Sequence, residues 1–503
     1  MGASVMAVFA KIASDFSALR RLSMRFRSWL SGCALTLLLA TPAAADYALP
    51  DIGTAGVQGL TVERERQIGE YFLRQARGAL PVAGDPVMNE YLTSIGSRLV
   101  MAARDVRFPF TFLVVVNPEL NAAAFLGGVV QVNTGLFHYA ENEDEFASVI
   151  AHEISHVTQR HIARFIEDQS QKTTLTTAGL IGAVAMSIIN PTVGLAALST
   201  TMGVSAQTRI SFTRENEAEA DRAGIDLLAR AGFNPMAMAD MFEILLAKQG
   251  NINPMYAMLI DHPLSGVRVS EARSRAAQLG RRRNSVNPNY DFARARADVR
   301  YMGVRDLNAM KRSLLGNPYG RSANYLNYAL ALICYEQDST AEALSYLDKL
   351  KGQQDNIFVL DLRTDIDLKN GRAKEAAARL QEPYRRSPDN EALALNLANA
   401  LKESGQTASA IKILKRFTER HPENVTALSL LSECYSAQRD RCNAMVTTGE
   451  LNALKAAYPE ALGAFDRALS SCTGQYSRDI VRALVSQVSE QRRFDDAIKE
   501  QMR

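Results

Sequence analysis

Ala147–Arg160 reads ASVIAHEISHVTQR, and whether its two histidines form a metal site or merely share a helix decides the fold. Just upstream, Asn142-Glu143-Asp144-Glu145 supplies an N-cap residue with glutamate three positions on, the pattern of a capping box. Phe146, Val149, Ile150 and Val157 then recur at helical spacing. His152 and His156 are therefore i and i+4 on one helix, a single turn apart, so both imidazoles can reach one ion. Zinc favours neutral nitrogen and carboxylate donors in a tetrahedron, and a catalytic zinc keeps one position for water, whose pKa it lowers. Glu153, beside the first histidine, is placed to take a proton from that water. The competing readings are a structural metal site and an inert helix.

The third donor separates these readings. A metzincin pattern needs glycine at 159 and histidine at 162, where the chain has Gln159 and Ile162. On a continuous helix His161 would lie about 180° from His152, which makes it a poor ligand. A later segment, TRENEAEADRAGIDLLARAGFNP (Thr213–Pro235), reads as a helix with apolar Ile225 and Leu228, a Gly232 stop and Pro235 beyond it. Glu217 and Asp221 are again i and i+4 there. A carboxylate ligand with an aspartate one turn later suits a glutamate-type zinc peptidase, the aspartate holding a ligand histidine by a hydrogen bond. Spacing leaves Glu215 and Glu219 as rival ligands.

Leu60–Arg77 and Asp85–Ala103 read as amphipathic helices, the first stopped by Gly78. FTFLVVVN (Phe110–Asn117) is β-rich, and Val129–Val132 alternates like a strand, so a small sheet precedes the histidine helix. Gly127-Gly128 would let another backbone come close, which suits an edge strand receiving an extended peptide along Gly128, Val129, Val130, Gln131 and Val132. A glycine turn entering a strand fits equally well.

Beyond residue 320 the texture becomes alanine- and leucine-rich, with a repeat. Asn356, Asn390 and Asn424 recur every 34 residues, as do Gly371 and Gly405, Ala376 and Ala410, Leu380 and Leu414, and Pro388 and Pro422. That period is the tetratricopeptide signature, whose units stack into a solenoid with a concave binding surface. Roughly four units fit here, and they suit holding partners or capping the catalytic half. The fold class is thus mainly α: an α+β zincin-type metallopeptidase domain with a small sheet, then a tetratricopeptide solenoid. The expected domains are 46–280 for the peptidase, 281–320 for a linker and 321–503 for the repeats.

Residues 1–45 read as an export signal: Arg20, Arg21, Arg25 and Arg27, the apolar run CALTLLLA (Cys33–Ala40), and Ala43-Ala44-Ala45, with cleavage expected after Ala45. Those residues carry five of the 57 Lys/Arg and one of the 54 Asp/Glu, leaving 52 basic and 53 acidic, so the basic balance gives no reason to expect nucleic acid as a partner. The Arg281–Arg283 triplet reads as a solvated linker. Cys334, Cys434, Cys442 and Cys472 remain, a bridge being plausible among the last three. Residues 173–208 contain no charge but are rich in Thr, Ser and Gly and interrupted by Asn190-Pro191, too broken to span a membrane. Packing within the domain, covering the cleft, touching a membrane surface and docking on a partner all fit that run.

The combination of His152-Glu153-Ile154-Ser155-His156, Glu217-Ala218-Glu219-Ala220-Asp221 and a tetratricopeptide tail resembles the CaaX-prenyl-protease/HtpX family of zinc metallopeptidases. The resemblance covers nearly the whole chain after residue 45. It implies one Zn2+ per chain, with Glu217 the third ligand. His262 and Arg268 in DHPLSGVR match the family's His-Pro-x-x-x-x-Arg element, which implies catalytic roles for both in stabilising the oxyanion. In members with a tetratricopeptide tail that histidine can instead fill the open zinc position and keep the enzyme latent. Asn121–Gly135 resembles the family's Asn-Ala-x-Ala-x-Pro-Gly-Gly substrate-strand segment, with Leu126 where proline is usual. The resemblance further implies a periplasmic protein, with peripheral contact to the outer membrane a further expectation. Its work would be degrading misfolded or stalled outer-membrane proteins and aiding β-barrel assembly, the repeats contacting the assembly machinery. The alternative is a mostly latent tetratricopeptide chaperone or adaptor of that machinery, its peptidase site held shut by His262.

Overall fold

The computed structural model describes residues 60–172, 214–248, 264–280, 287–317 and 319–501, with Met258, His262 and Arg282 between them. The export signal and most of the uncharged 173–208 run lie outside the described residues. Helix α1 (Val62–Ala79) starts at Thr61, whose hydroxyl accepts from the Arg64 amide, and α2 (Pro86–Ala102) starts at Asp85 with proline in its first turn. Gly78 does not stop α1 as expected. It lies inside the helix, where a Cβ would overlap the Lys455 carbonyl oxygen, so the glycine serves a close approach of backbones.

Three short strands follow: β1 (Thr111–Val115), β2 (Ala122–Ala124) and β3 (Val129–Asn133), in the spatial order β1-β3-β2. β3 pairs parallel with β1 and antiparallel with β2. The expectation that Gly128 and Val129–Val132 form a substrate-receiving edge is therefore corrected: β3 is the central strand, hydrogen-bonded on both sides. The outer edge beyond β3 belongs to β2. The glycine pair does admit close backbones, but they are the chain's own. Gly127 and Gly128 have φ of 73° and 83°; a Cβ on the first would lie 2.9 Å from Gly69 Cα of α1, and on the second would overlap the Pro109 carbonyl.

Helix α3 (Thr134–Tyr139) leads into α4 (Glu143–Thr158), capped by the Asn142 side chain accepting from the Glu145 amide at 3.0 Å. Phe146, Ala147, Ile150, Ala151 and Ile154 are wholly buried, so α4 runs through the core. After α5 (His161–Lys172) come α6 (Arg214–Ala231), α7 (Ala237–Lys248) and α8 (Gly266–Gln278).

Residues 281–320 are not the linker expected from their polar composition. They carry α9 (Pro288–Arg300) and α10 (Leu307–Gly316), and α9 buries Tyr290, Phe292, Ala293 and Ala297. Arg296 on α9 is buried between two carboxylates, 2.6 Å from Asp85 and 2.7 Å from Asp361, and Tyr328 faces it at 3.0 Å. One apolar core accordingly continues from Val87 and Phe146 through Phe292 to Tyr328 and Phe358.

The remaining helices pair antiparallel: α11 (Ala323–Glu336) with α12 (Thr340–Leu347), α13 (Ile357–Lys369) with α14 (Ala373–Arg386), α15 (Glu391–Glu403) with α16 (Thr407–Arg420), and α17 (Val425–Ala437) with α18 (Arg441–Ala453). The 34-residue period acquires a cause at each position. Asn356, Asn390 and Asn424 cap the first helix of a pair, Gly371 and Gly405 take the left-handed turn, and Ala376 and Ala410 are the fully buried small residues of the second helix. Two further helices, α19 (Tyr458–Ser471) and α20 (Gln475–Gln501), end the chain, and a Cys442–Cys472 disulfide ties α18 to the end of α19 while Cys334 and Cys434 stay as buried thiols. The solenoid returns to α1: Arg77 meets Glu423 at 3.0 Å, and buried Arg74 pairs with Asp495 of α20.

Candidate metal centre

Two helices carry the centre, and a glycine lies at their contact. On α6, Glu217 and Asp221 are buried on one face, with Gly224 one turn further. A Cβ at Gly224 would lie in ordinary contact, 3.4 Å, with Ala151 C and His152 Cα of α4, and would press only on Met238 Cε at 2.8 Å, the end of a flexible side chain. His262 comes from the segment before α8, its amide donating to the Met258 carbonyl at 2.8 Å.

His152, His156, Glu217 and His262 each aim one donor atom into a common space, all within 4.8 Å of one another. His152 Nε2 and His156 Nε2 are 3.0 Å apart, and His262 Nδ1 lies 3.4 Å from His152 Nε2 and 3.0 Å from Glu217 Oε1. Glu217 stands 3.6 Å from His152 Nε2 and 3.5 Å from His156 Nε2. A tetrahedron of donors about 2.0–2.2 Å from a central cation has edges of roughly 3.4 Å, so these residues fit a metal ion. All four are buried. Lone pairs converging in this way repel one another unless a proton or cation lies between them.

Sequence and structure agree on His152, His156 and Glu217. The rivals that spacing left open lie outside the donor cluster: Glu215 is exposed, and Glu219 turns away to pair with Arg164 at 2.7 Å. Asp221 Oδ1 lies 3.1 Å from His152 Nδ1, at the ring edge opposite the donor space. Arg268 bridges the two acids of α6. Its Nε and one terminal nitrogen meet Asp221 at 2.8 Å each, and the other meets Glu217 Oε2 at 2.9 Å, so the guanidinium clamps the two carboxylates. His262 Nδ1 stands at the fourth vertex of this donor cluster.

Glu153 is buried beside this vertex. Its Oε2 accepts from the Ala124 amide of β2 at 2.9 Å, and its Oε1, 3.6 Å from His262 Nε2, has no hydrogen-bond partner among the described residues. Burial raises its pKa, which suits a group that must take a proton near neutral pH. Burial works against charge on His152, yet Asp221 and Glu217 push it up to about 10. Burial also opposes ionisation of Glu217, but His262 and His152 hold its carboxyl far below the usual range. Protons and a cation therefore compete for the same lone pairs, and metal uptake must release protons.

Sequence reasoning missed His161. The continuous helix assumed for it does not exist: Arg160 adopts φ of 54° after α4 ends, and the turn brings His161 Nδ1 to 2.8 Å from His156 Nδ1. A positive φ on a non-glycine residue leaves no mark in composition or periodicity.

A histidine pair and a glutamate converging from two buried helices, with a second glutamate poised over them and a small sheet alongside, define a metallopeptidase. Residues 86–276 match peptidase family M48, and residues 367–434 match the tetratricopeptide repeat. The chain is 39% identical to the β-barrel assembly-enhancing protease of Escherichia coli K12, over 87% of its own length and 90% of that relative. It is likewise 39% identical to the protein of that name from Yersinia pestis, over 82% of this chain and 86% of the relative. Metalloprotease LoiP of Escherichia coli K12 is 28% identical across 34% of this chain and 65% of its own. The chain belongs to peptidase family M48, carrying a tetratricopeptide tail whose use is to hold protein substrates or partners.

Proposed function

We propose that the chain is an exported zinc endopeptidase held latent by its own His262, acting in the periplasm on misfolded or stalled outer-membrane β-barrel proteins. The observation that carries this reading is His262 Nδ1 at the fourth vertex, 3.0 Å from Glu217 Oε1, with Glu153 directly behind it. The substrate class is supported by the relatives' name, β-barrel assembly-enhancing protease, and the destination by an export signal expected to end at Ala45; the peptidase would span 46–280 and the repeats 321–503.

His152, His156 and Glu217 would hold a zinc ion, which when bound would supply Lewis acidity toward a scissile carbonyl and a water. Glu153 Oε1 accepts the proton of the attacking water and returns it to the leaving amine. Asp221 and Arg268 fix His152 and Glu217 so that neither donor has to reorganise during turnover. An extended segment adds to the outer edge of β2, adjoining Glu153 through Ala124, with the mode of strand addition common to peptidases and peptide-binding domains. His262 must swing aside first, after which it is free to donate to the developing oxyanion. Assembly machinery for β-barrels is the proposed partner of the solenoid, and residues 173–208 are the proposed contact to the membrane surface.

The test is degradation of an unfolded outer-membrane protein by the unmodified chain, Glu153→Gln and His262→Ala. Higher activity in His262→Ala and none in Glu153→Gln are the expected results. Loss of activity in both would make His262 a catalytic group and not a latch. Should none of the three cleave while metal is bound, the filled fourth vertex favours the second reading, a latent adaptor acting through its repeats.

A further inference from the structure

Two ligand histidines leave α4 from the same face, but their outer ring edges meet different surroundings. His152 Nδ1 faces the Asp221 carboxylate, which Arg268 holds. At the corresponding place His156 meets a different neighbour. Its Nδ1 meets another imidazole, His161 Nδ1, at 2.8 Å, the two rings standing 78° apart. His161 is completely buried, and its far nitrogen, Nε2, lies 3.3 Å from Glu219 Oε2, which Arg164 holds at 2.7 Å.

Only one proton arrangement makes this chain compatible with a metal. His156 Nε2 points at the donor space, 3.0 Å from His152 Nε2 and 3.5 Å from Glu217 Oε1, so its lone pair must lie there. The His156 proton is then on Nδ1 and donates to His161 Nδ1. His161, accepting at Nδ1, carries its own proton on Nε2 and donates it to the Glu219 carboxylate. The reverse polarity, His161 Nδ1–H donating to His156 Nδ1, would leave the His156 proton on Nε2, between the metal and its donor. Glu219 at the outer end selects the productive direction, because a carboxylate can only accept.

We propose that His161 is a positioning residue for the metal ligand His156, fixing its tautomer and ring plane through an imidazole relay anchored on Glu219. The fold supplies the relay by breaking α4. Arg160 takes its left-handed conformation while its guanidinium bonds the Glu65 carboxylate and, at 2.6 Å, the Leu60 carbonyl, both at the start of α1. A continuous helix would carry position 161 to the opposite face.

The inference rests on His156 being a ligand, and the experiment separates the two. Zinc affinity is measured on the intact chain by competition with a chelating dye, for the unmodified protein, His156→Ala, His161→Leu and His161→Asn. Leucine and asparagine have nearly the same shape, but asparagine Oδ1 sits where Nδ1 was and can accept the His156 proton. Expected is a loss of about 10–100-fold in His161→Leu, the range for losing such a support, with His161→Asn within about threefold of the unmodified chain. Equal loss in both, or none in His161→Leu, overturns the proposal. Unchanged affinity in His156→Ala overturns the ligand assignment beneath it. If His161→Leu fails to fold, Glu219→Leu replaces it, since Glu219 is 36% exposed in its side chain and its loss removes the anchor together with only a part-exposed pair to Arg164; unchanged zinc affinity there also overturns the relay.

Discussion

Gly224 stands where the two ligand-bearing helices pack. In Gly224→Ala the new methyl group meets Ala151 and His152 at 3.4 Å, an ordinary contact, and presses only on Met238 Cε, the end of a flexible side chain that can yield. Alanine is favoured over glycine inside a helix by about 1 kcal/mol. The expected outcome is a melting temperature no lower than that of the unmodified chain with metal affinity unchanged, read by calorimetry and dye competition; weaker metal binding would show that α6 shifts and carries Glu217 with it. Glu391 gives a pH-dependent prediction. Burial pushes its carboxyl up to about 7, outweighing the hydrogen bond from Asn424. With the folded pKa above the unfolded value of about 4.5, the group costs nothing in acid, begins to cost as pH rises past 4.5, and costs most above about 7. Glu391→Gln should therefore melt with the unmodified chain near pH 5 and a few degrees above it at pH 8, a difference on the order of 2 kcal/mol. The metal donors were legible at this scale because i and i+4 spacing survives any tertiary arrangement. His161 was not, because its position turns on the φ of one arginine.

Elements show where a repeat departs from its own rule. Gly371 and Gly405 turn with φ of 72° and 82°, but the equivalent residue of the last pair is Arg439, at φ of 62°. A side chain in that region costs about 1–2 kcal/mol, so Arg439→Gly should raise the melting temperature with no change in metal binding. A fall instead would mean that the Arg439 side chain contributes more than its backbone costs. The same end of the solenoid is tied by Cys442–Cys472, 30 residues apart in sequence. Closing a loop of that size restricts the unfolded chain by about 3–4 kcal/mol, and Cys442→Ala with Cys472→Ala should destabilise the protein accordingly. Denaturant titration measures it. The period predicted these pairs; the choice of Cys442 with Cys472 over Cys434 needed the helices to be placed side by side.

At the scale of the whole molecule, peptidase and repeats cannot be treated as beads on a string. Asp495 on the last helix pairs with buried Arg74 of α1, and Tyr458 donates to the same carboxylate. Ile498 shares one apolar cluster with Ile68 and Phe72 of α1 and with Ile166 of α5, the helix that begins at His161. Asp495→Ala leaves Arg74 buried without that charge and should cost about 3–5 kcal/mol. Faster protease nicking of α20 is the readout, and resistance equal to the unmodified chain would show that apolar packing alone holds the end of the solenoid. Arg296 between Asp85 and Asp361 makes the corresponding junction nearer the peptidase core.

The sequence by itself determined what depends on local period and residue chemistry: the capped histidine helix, the i and i+4 carboxylates of α6 and the 34-residue repeat with its asparagine caps. Those properties are set within one or two turns of chain, so they can be read without knowing what packs against them. The tertiary structure decided which strand is central, that Arg268 clamps carboxylates, that His262 joins the donor cluster, and that α9, inside the stretch read as a linker, is core. Each of these depends on groups that meet only after folding, where close packing and the cost of burying an unpaired charge select one arrangement among many that the same local pattern allows.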